Sequence, residues 1–278
     1  MLGTLFRRSL TAWRSGRLKL WNDYAVLAGG QIGMKVLGFL AFAWLARALD
    51  PVGYGTVEYV VGLAAFFSTV VDAGLGTVGV RRLAHHPAKL PQLAFQIPLA
   101  RLALALACVP IMVLVARLAA HSSLSPALVW LFALSLLTVP LRQEWLLQAS
   151  ERMTETAIGR VLHTAVFAAV IWLGVRGPAD LPIVGAAELA GVVVMSLYCI
   201  HVPHAHIVPV RLFGSTRGMA SLVREGAALG AGNVIWSLNQ YAPLFLIATQ
   251  VGGADTAWFA AAARVVGALF VFGNIYHF

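Results

Sequence analysis

The sequence predicts an all-α protein, a polytopic bundle of transmembrane helices. Sixty per cent of the 278 residues are apolar and only 11% are charged, whereas a soluble domain usually carries about 25% charged residues. The apolar residues also come in blocks of about 20 residues, the length that crosses a hydrocarbon core about 30 Å thick. Because so many blocks of this length cannot all be buried in one soluble core, the chain is predicted to span a membrane.

Eight apolar blocks are predicted to be spans, and short connections join them. The fourth block is weakest at its end, where Arg142 and Glu144 interrupt it, so it emerges from the membrane there or lines something wet. The spans run near 24–47, 56–80, 93–117, 124–148, 157–176, 181–202, 226–250 and 254–276. They divide the chain into a basic cytoplasmic segment (1–22), a six-helix lobe (23–210) and the start of a second lobe (211–278).

The distribution of Lys and Arg predicts a cytoplasmic N-terminus. With that orientation, fourteen of the 20 cations fall in inside segments and three in outside connections, as the positive-inside rule requires. The other three lie in spans or at their edges. The three outside cations are Arg47, Arg117 and Arg176, and the three associated with spans are Lys35, Arg101 and Arg264.

The net charge of +9 does not indicate a nucleic-acid partner. The basic residues lie at the ends of apolar blocks and are not interleaved with aromatic residues, so membrane orientation accounts for them. The two cysteines lie inside apolar blocks, and no motif typical of an enzyme, a metal site or a phosphate-binding loop is present. We therefore expect no enzymatic activity, no metal and no cofactor.

Lys35 is the most informative polar residue. It lies about 17 Å along the first span at 1.5 Å per residue, near the bilayer centre, where an unpaired Lys costs roughly 2.5–3.5 kcal/mol. Gln31 lies one turn earlier on the same face. Lys35 and Gln31 therefore line a water-filled cavity, or Lys35 forms a structural ion pair with Asp72 or Glu188.

Other polar groups at membrane depth are also candidates. Asp72 and Glu188 either form structural ion pairs, which we favour for each alone, or bind a coupling proton or ion. Asn239 is a candidate for the cavity or, more simply, for interhelical hydrogen bonding. Arg264 cannot lose its charge and should face a cavity or an acid, whereas Arg101 is close enough to the cytoplasmic end to snorkel. Cations facing a cavity favour an anionic ligand such as phosphate.

The first two spans carry a pattern with a known counterpart. The first ends in A-R-x-L, a G-x-Y-G loop follows, and the second ends in D-x-G-L with a later Arg. These residues are Ala46, Arg47 and Leu49, then Gly53, Tyr54 and Gly55, then Asp72, Gly74, Leu75 and Arg81. The combination resembles the O-antigen type of oligosaccharide and polysaccharide flippases, within the multidrug/oligosaccharidyl-lipid/polysaccharide transporter superfamily. The segment 35–39 also looks like the start of the lipid II flippases, where a cation stands at the Lys35 position.

The resemblance implies a transporter of the inner, cytoplasmic membrane with two lobes of six helices plus extra helices. Its substrate would be an oligosaccharide unit on a polyprenyl diphosphate lipid, exported for a cell-envelope polysaccharide such as the O-antigen of lipopolysaccharide. Partners would be this substrate, membrane lipids and other polysaccharide assembly proteins. Lys35, Arg264 and Arg47 are then expected to bind the diphosphate. Since the sequence ends in the eighth span, we expect a truncated chain that does not transport by itself.

Three other function classes remain open from the sequence. A multidrug/cation antiporter of the same superfamily would use acids in the cavity, whereas Lys35 and Arg264 favour an anionic substrate. A membrane polysaccharide polymerase usually needs a large outer loop, and an acyltransferase a paired His and acid, but the predicted outer loops are all short. A non-transporting membrane scaffold is the third of these classes.

The predicted orientation has a direct test. A cysteine introduced at Ser122, in a predicted outside connection, should react with an impermeant thiol reagent added to intact cells. A cysteine at Ser215, in a predicted inside connection, should not react until the membrane is permeabilised. The reverse pattern would overturn the orientation.

Overall fold

The structure is a computed structural model that describes residue 29 and residues 32–119, 124–206 and 216–275. These residues form α-helices and short 3-10 helices, with no β-strand among them, which confirms the all-α prediction. The predicted cytoplasmic segment 1–22 and Gln31 lie outside the described residues, as do Ser122 and Ser215 of the labelling test.

The helices follow the predicted order. They are α1 (32–48), α2 (Pro51–Asp72), α3 (Leu75–His85), α4 (Leu90–Ala119), α5 (Pro126–Ser135), α6 (Glu144–Ala149), α7 (Met153–Gly174), α8 (Leu181–His206), α9 (Met219–Gln250) and α10 (Gly253–Ile275). Three 3-10 helices lie between them at Pro87–Lys89, Leu136–Leu141 and Pro178–Asp180.

Five segments of the described chain are long and apolar enough to cross a membrane. They correspond to the second to sixth predicted spans. Helices α9 and α10 occupy the positions of the seventh and eighth, but are not among these five. In α9 the polar residues Asn233, Asn239 and Gln240 reduce the mean hydropathy. The five segments are Pro51–His85, Pro87–Leu118, Pro126–Ala149, Met153–Gly174 and Pro178–Val202.

Helix α2 is the central element of the described bundle. It begins after Asp50, whose side chain accepts a hydrogen bond from the backbone N–H of Gly53 at 3.1 Å, an N-cap arrangement that satisfies a free helix donor. The helix is buried over most of its length and packs against α4, α5, α9 and α10. Its neighbours therefore include helices of the first predicted lobe and of the second.

The second predicted span, which we expected to be one helix over 56–80, is divided into α2 and α3. Ala73 (φ 45°) and Gly74 (φ 71°) adopt left-handed backbone conformations between the two helices. A left-handed residue ends an α-helix, and glycine adopts this conformation without steric cost. The break places Asp72 at the last residue of α2.

The fourth predicted span is also interrupted, and the interruption lies near Arg142 and Glu144, the charged residues that break its apolar block. Helix α5 gives way to the 3-10 helix Leu136–Leu141, which contains Pro140, and α6 begins only at Glu144. Proline has no backbone N–H to continue an α-helix and clashes with the preceding turn. Arg142 and Glu144 therefore lie at a bend and not on a continuous helix.

Close backbone contact joins α9 to the break between α2 and α3. A Cβ atom at Gly230 would collide with the backbone of Ala73, and one at Gly74 would lie 2.7 Å from the carbonyl oxygen of Gly226. Gly226 and Gly230 are spaced four residues apart, a small-residue pattern that lets membrane helices approach closely. Glycine at these positions thus determines how near α9 packs to the first lobe.

This contact predicts different effects for two glycines of α9. Alanine at either site gains up to about 1 kcal/mol of helix propensity. At Gly230 the added methyl also meets the Ala73 backbone, and overpacking of this kind costs about 1–3 kcal/mol. At Gly232 an added methyl would meet no atom within 4 Å. Thermal unfolding in detergent should find Gly230→Ala less stable than Gly232→Ala; equal stability would contradict the contact.

Candidate functional site

An ion pair joins α10 to α2. The Arg264 guanidinium bonds the Glu58 carboxylate through both Nε and Nη2, with Nη2 at 2.8 Å from Oε2. The Glu58 side chain is 6% exposed and that of Arg264 is 30% exposed. The prediction that Arg264 faces a cavity or an acid is confirmed, because it faces an acid. The sequence analysis did not single out Glu58, although a lone carboxylate in an apolar span indicates a buried partner or a functional site.

Phe42 of α1 completes the environment of Arg264. The guanidinium carbon lies 3.2 Å from the centroid of the Phe42 ring, a cation–π arrangement. The same ring stacks on Phe167 of α7, with 5.7 Å between ring centroids. Arg264 of α10 therefore contacts α1 and α2, and the Phe42 ring connects this contact to α7.

Lys35 lies on the same side of α1 as this contact. It precedes Phe42 by seven residues, which is about two turns or 10 Å on the same helix face. The Lys35 residue is exposed, and no described residue forms an ion pair or hydrogen bond with its side chain. The structure thus brings Lys35 and Arg264 to one side of α1.

Lys35 forms no ion pair with Asp72 or Glu188, because both acids have other partners. Asp72 bonds Arg101, and Glu188 lies 3.2 Å from His163. The positions along the two helices explain why Lys35 does not reach Asp72. Lys35 lies about 20 Å from the end of α1, whereas Asp72 lies about 32 Å from the start of α2. Because the two helices are consecutive, these side chains sit at different depths.

Two other predicted residues of the site are exposed. Arg47, near the end of α1, is rotated about 120° from Lys35 around the helix axis at 100° per residue, and Asn239 lies on α9. Neither forms an ion pair with another described residue. Their assignment to the diphosphate and to the cavity stays a prediction.

The expectation that Arg101 snorkels is wrong. Its side chain is 6% exposed, and it bonds Asp72 through Nη2. Its Nη1 also donates to the backbone carbonyl of Arg142 at 3.1 Å. A buried guanidinium with a carboxylate and a carbonyl as acceptors has its charge compensated where it lies, so it need not extend to the headgroups.

The remaining acids of this region are also partnered. Arg160 of α7 bonds Glu144 of α6, with Nη2 at 2.6 Å and Nε at 2.9 Å from Oε2. Glu188 of α8 faces His163 of α7. The contacts of Asp72 and Glu188 fit the structural pairs that we favoured. A role of either acid in ion coupling stays a prediction.

Several of these charges surround one cavity of about 250 Å³. Three arginines and two acids contribute to its wall. Arg142 and Glu144, which interrupt the fourth predicted span, thus lie in the wall of a polar cavity. That the span emerges from the membrane there or faces water stays a prediction. The lining residues are Ser68, Asp72, Gly76, Thr77, Arg101, Val139, Arg142, Glu144, Trp145, Gln148 and Arg160.

Comparison with known proteins identifies one match over nearly the whole chain. A family model described as "Polysaccharide biosynthesis protein" matches residues 20–276. This range includes the ten α-helices of the described residues, from α1 to α10. No curated protein matches the chain.

The contact between Arg264 and Glu58 predicts a coupling energy. Arg264→Met alone leaves the buried Glu58 charge uncompensated and should cost about 1–3 kcal/mol, less than the 3–5 kcal/mol of a fully buried pair because Arg264 is partly exposed. Adding Glu58→Gln should recover part of this cost. Thermal unfolding of the two single variants and the double variant measures the coupling.

The Arg152–Glu155 pair is the control for this cycle. It lies three residues apart within one turn, and its side chains are 29% and 24% exposed. Its coupling should be about 0.5 kcal/mol or less. Strictly additive effects at Arg264 and Glu58 would show that their contact contributes nothing to stability.

Proposed function

The chain belongs to the polysaccharide biosynthesis protein family, and from this premise we propose that it is a flippase for lipid-linked oligosaccharides. The family match and the apolar helices support a multi-pass membrane transporter of polysaccharide synthesis. The proposed substrate is an oligosaccharide on a polyprenyl diphosphate. It would move from the cytoplasmic to the outer leaflet of the inner membrane, for O-antigen or a similar cell-envelope polysaccharide. The observation that carries the proposal is exposed Lys35, on the same face of α1 as Phe42, whose ring contacts Arg264.

An exposed Lys35 has two possible surroundings, lipid or water. In lipid it would cost roughly 2.5–3.5 kcal/mol at the bilayer centre. Facing a water-filled cavity, it keeps its hydration and costs far less. Because Phe42 and Arg264 lie on the same side of α1, such a cavity would be bounded by α1 and α10. These helices belong to the two predicted lobes, the interface at which transporters usually bind substrate.

A diphosphate suits this pair of cations. Its oxygens accept charge-assisted hydrogen bonds from an ammonium and, bidentately, from a guanidinium. Arg264 already binds Glu58, so the diphosphate would exchange with Glu58 and not add to an unpaired guanidinium. A group with more negative charge than one carboxylate is a strong competitor for such a cation. Lys35 would therefore attract the ligand before Arg264 is released to it.

The partners of the acids favour an anionic substrate over a cationic one. Glu58, Asp72 and Glu188 each face an Arg or His of the described helices. A cation antiporter needs acids that are available to its substrate, and these three are occupied. Lys35, by contrast, is an exposed cation with no ion-pair partner among the described residues. The sugar chain would occupy the water-filled space, while the polyprenyl tail stays in the bilayer as the lobes alternate.

Substitutions at Lys35 test this function. In a form of the protein that restores export to a cell lacking its own lipid-linked oligosaccharide flippase, Lys35→Ala and Lys35→Glu should reduce surface polysaccharide at least about tenfold, because a charge-assisted contact to the diphosphate is lost. Lys35→Arg should retain part of the export, because the charge survives. Surface polysaccharide per molecule of membrane-inserted protein is the measured quantity.

Arg117→Ala is the matched control. Arg117 is an exposed cation in the last turn of α4, distant in sequence from the α1–α10 contact, so its loss should leave export unchanged. Normal export by Lys35→Ala, at normal membrane levels, would reject the diphosphate role.

A further inference from the structure

Glu58 is the most buried acid among the described ion pairs. Its side chain is 6% exposed, whereas the acids of the other five pairs have side chains that are 19% to 34% exposed. Its charge is compensated by the contact with both Nε and Nη2 of Arg264. Because water barely reaches this carboxylate, Glu58 depends on its arginine more than the other paired acids do.

No second cation among the described residues could take the place of Arg264. Tyr54, one turn earlier on α2, and Tyr241 of α9 are the other titratable side chains that interact with Glu58. A tyrosine hydroxyl is an uncharged donor, and an uncharged donor does not replace the charge of a guanidinium that bonds through two nitrogens. No other described cation forms an ion pair with Glu58. Arg264 therefore keeps Glu58 in its ionised form.

Release of Arg264 to a diphosphate, as the proposed function requires, would leave the Glu58 carboxylate buried without its cation. Removal of one partner from a buried pair is strongly destabilising because the remaining charge is uncompensated. The ligand increases this cost, since it brings further negative charge to the same place. Desolvation and a neighbouring anion both disfavour the charged form of a carboxyl group. A proton is the simplest group that removes the charge.

We propose that Glu58 is a proton-binding site coupled to the ligand. It takes up one proton from water when the diphosphate displaces it from Arg264, and it loses this proton when it pairs with Arg264 again. Arg264 is partly exposed, so water reaches the pair from its side. The proton goes onto a carboxylate oxygen of Glu58, and the site then holds no uncompensated carboxylate in either state. The complex with bound ligand carries one negative charge fewer than it would with an ionised Glu58.

Removal of the arginine tests the proton site without any ligand. In Arg264→Met, the folded protein should bind a proton at Glu58 that the hydrated, unfolded chain does not bind. Stability then falls as the pH rises, because the folded state holds more protons than the unfolded state. From about pH 5.5 to about pH 8, the unfolding temperature of Arg264→Met should fall by at least about 2 °C relative to that of Arg264→Met with Glu58→Gln.

The Arg152–Glu155 pair supplies the matched control. The Glu155 side chain is 24% exposed, so water hydrates the carboxylate when its arginine is lost. The unfolding temperature of Arg152→Met, relative to that of Arg152→Met with Glu155→Gln, should therefore stay constant over the same pH range. A constant difference at Glu58 as well would overturn the proton site, whatever the ligand does.

Calorimetry with a diphosphate tests the coupling itself. Inorganic pyrophosphate is titrated at neutral pH into the full chain in lipid nanodiscs, in two buffers that have different heats of ionisation. The dependence of the binding heat on the buffer counts the protons taken up. The Glu58→Gln variant corrects for the protonation of pyrophosphate itself. The parent protein should take up more than this variant, by about one proton per ligand.

The outcomes separate the proton coupling from the proposed function. Pyrophosphate binding with equal proton uptake in the parent and in Glu58→Gln would reject the coupling and leave the diphosphate role standing. Absence of pyrophosphate binding to the parent would reject that role and the coupling with it. If Arg264→Met does not fold at any pH, the calorimetric comparison decides alone, since Glu58→Gln removes the titratable group and keeps the size of the side chain.

Discussion

A charge held among apolar helices must have a partner of opposite sign or access to water, and this constraint organises the polar structure of the protein. Arg264 meets it with Glu58, and Arg101 meets it with Asp72. Both pairs join helices that are distant in sequence, so each satisfied charge also fixes which helices are neighbours. Lys35 has no such partner among the described residues, and water is the remaining way to accommodate it. The proposed function therefore rests on Lys35, the deep cation for which no ion-pair partner is found among the described residues.

Helix α2 connects these charges because it carries an acid near each end. Glu58, two turns into the helix, binds α10 of the second predicted lobe, whereas Asp72, its last residue, binds α4 of the first. Just beyond Asp72, α9 packs against the break at Gly74 through backbone contact. A movement of α9 and α10 relative to the first lobe would act on α2 at both points. The Glu58 pair is the contact that such a movement and a bound diphosphate would both disturb.

The proposed diphosphate site is already occupied by an acid of the protein. A carboxylate binds the Arg264 guanidinium, so the diphosphate would bind by exchange with Glu58. Exchange suits a site that must release its ligand in every cycle.

The sequence by itself determined the helical class, the order of the helices and the family, because block length, short connections and the motif around Gly53–Gly55 are properties of the chain alone. It also marked Lys35 and Arg264 as cations at membrane depth, and the proposed site rests on them. Only the tertiary structure decided their partners. Glu58 lies 206 residues from Arg264 in sequence, and pairing depends on which helices pack together and at what depth. The bend at Pro140 also brought Arg142 next to Arg101 in the wall of a cavity that no local pattern could predict.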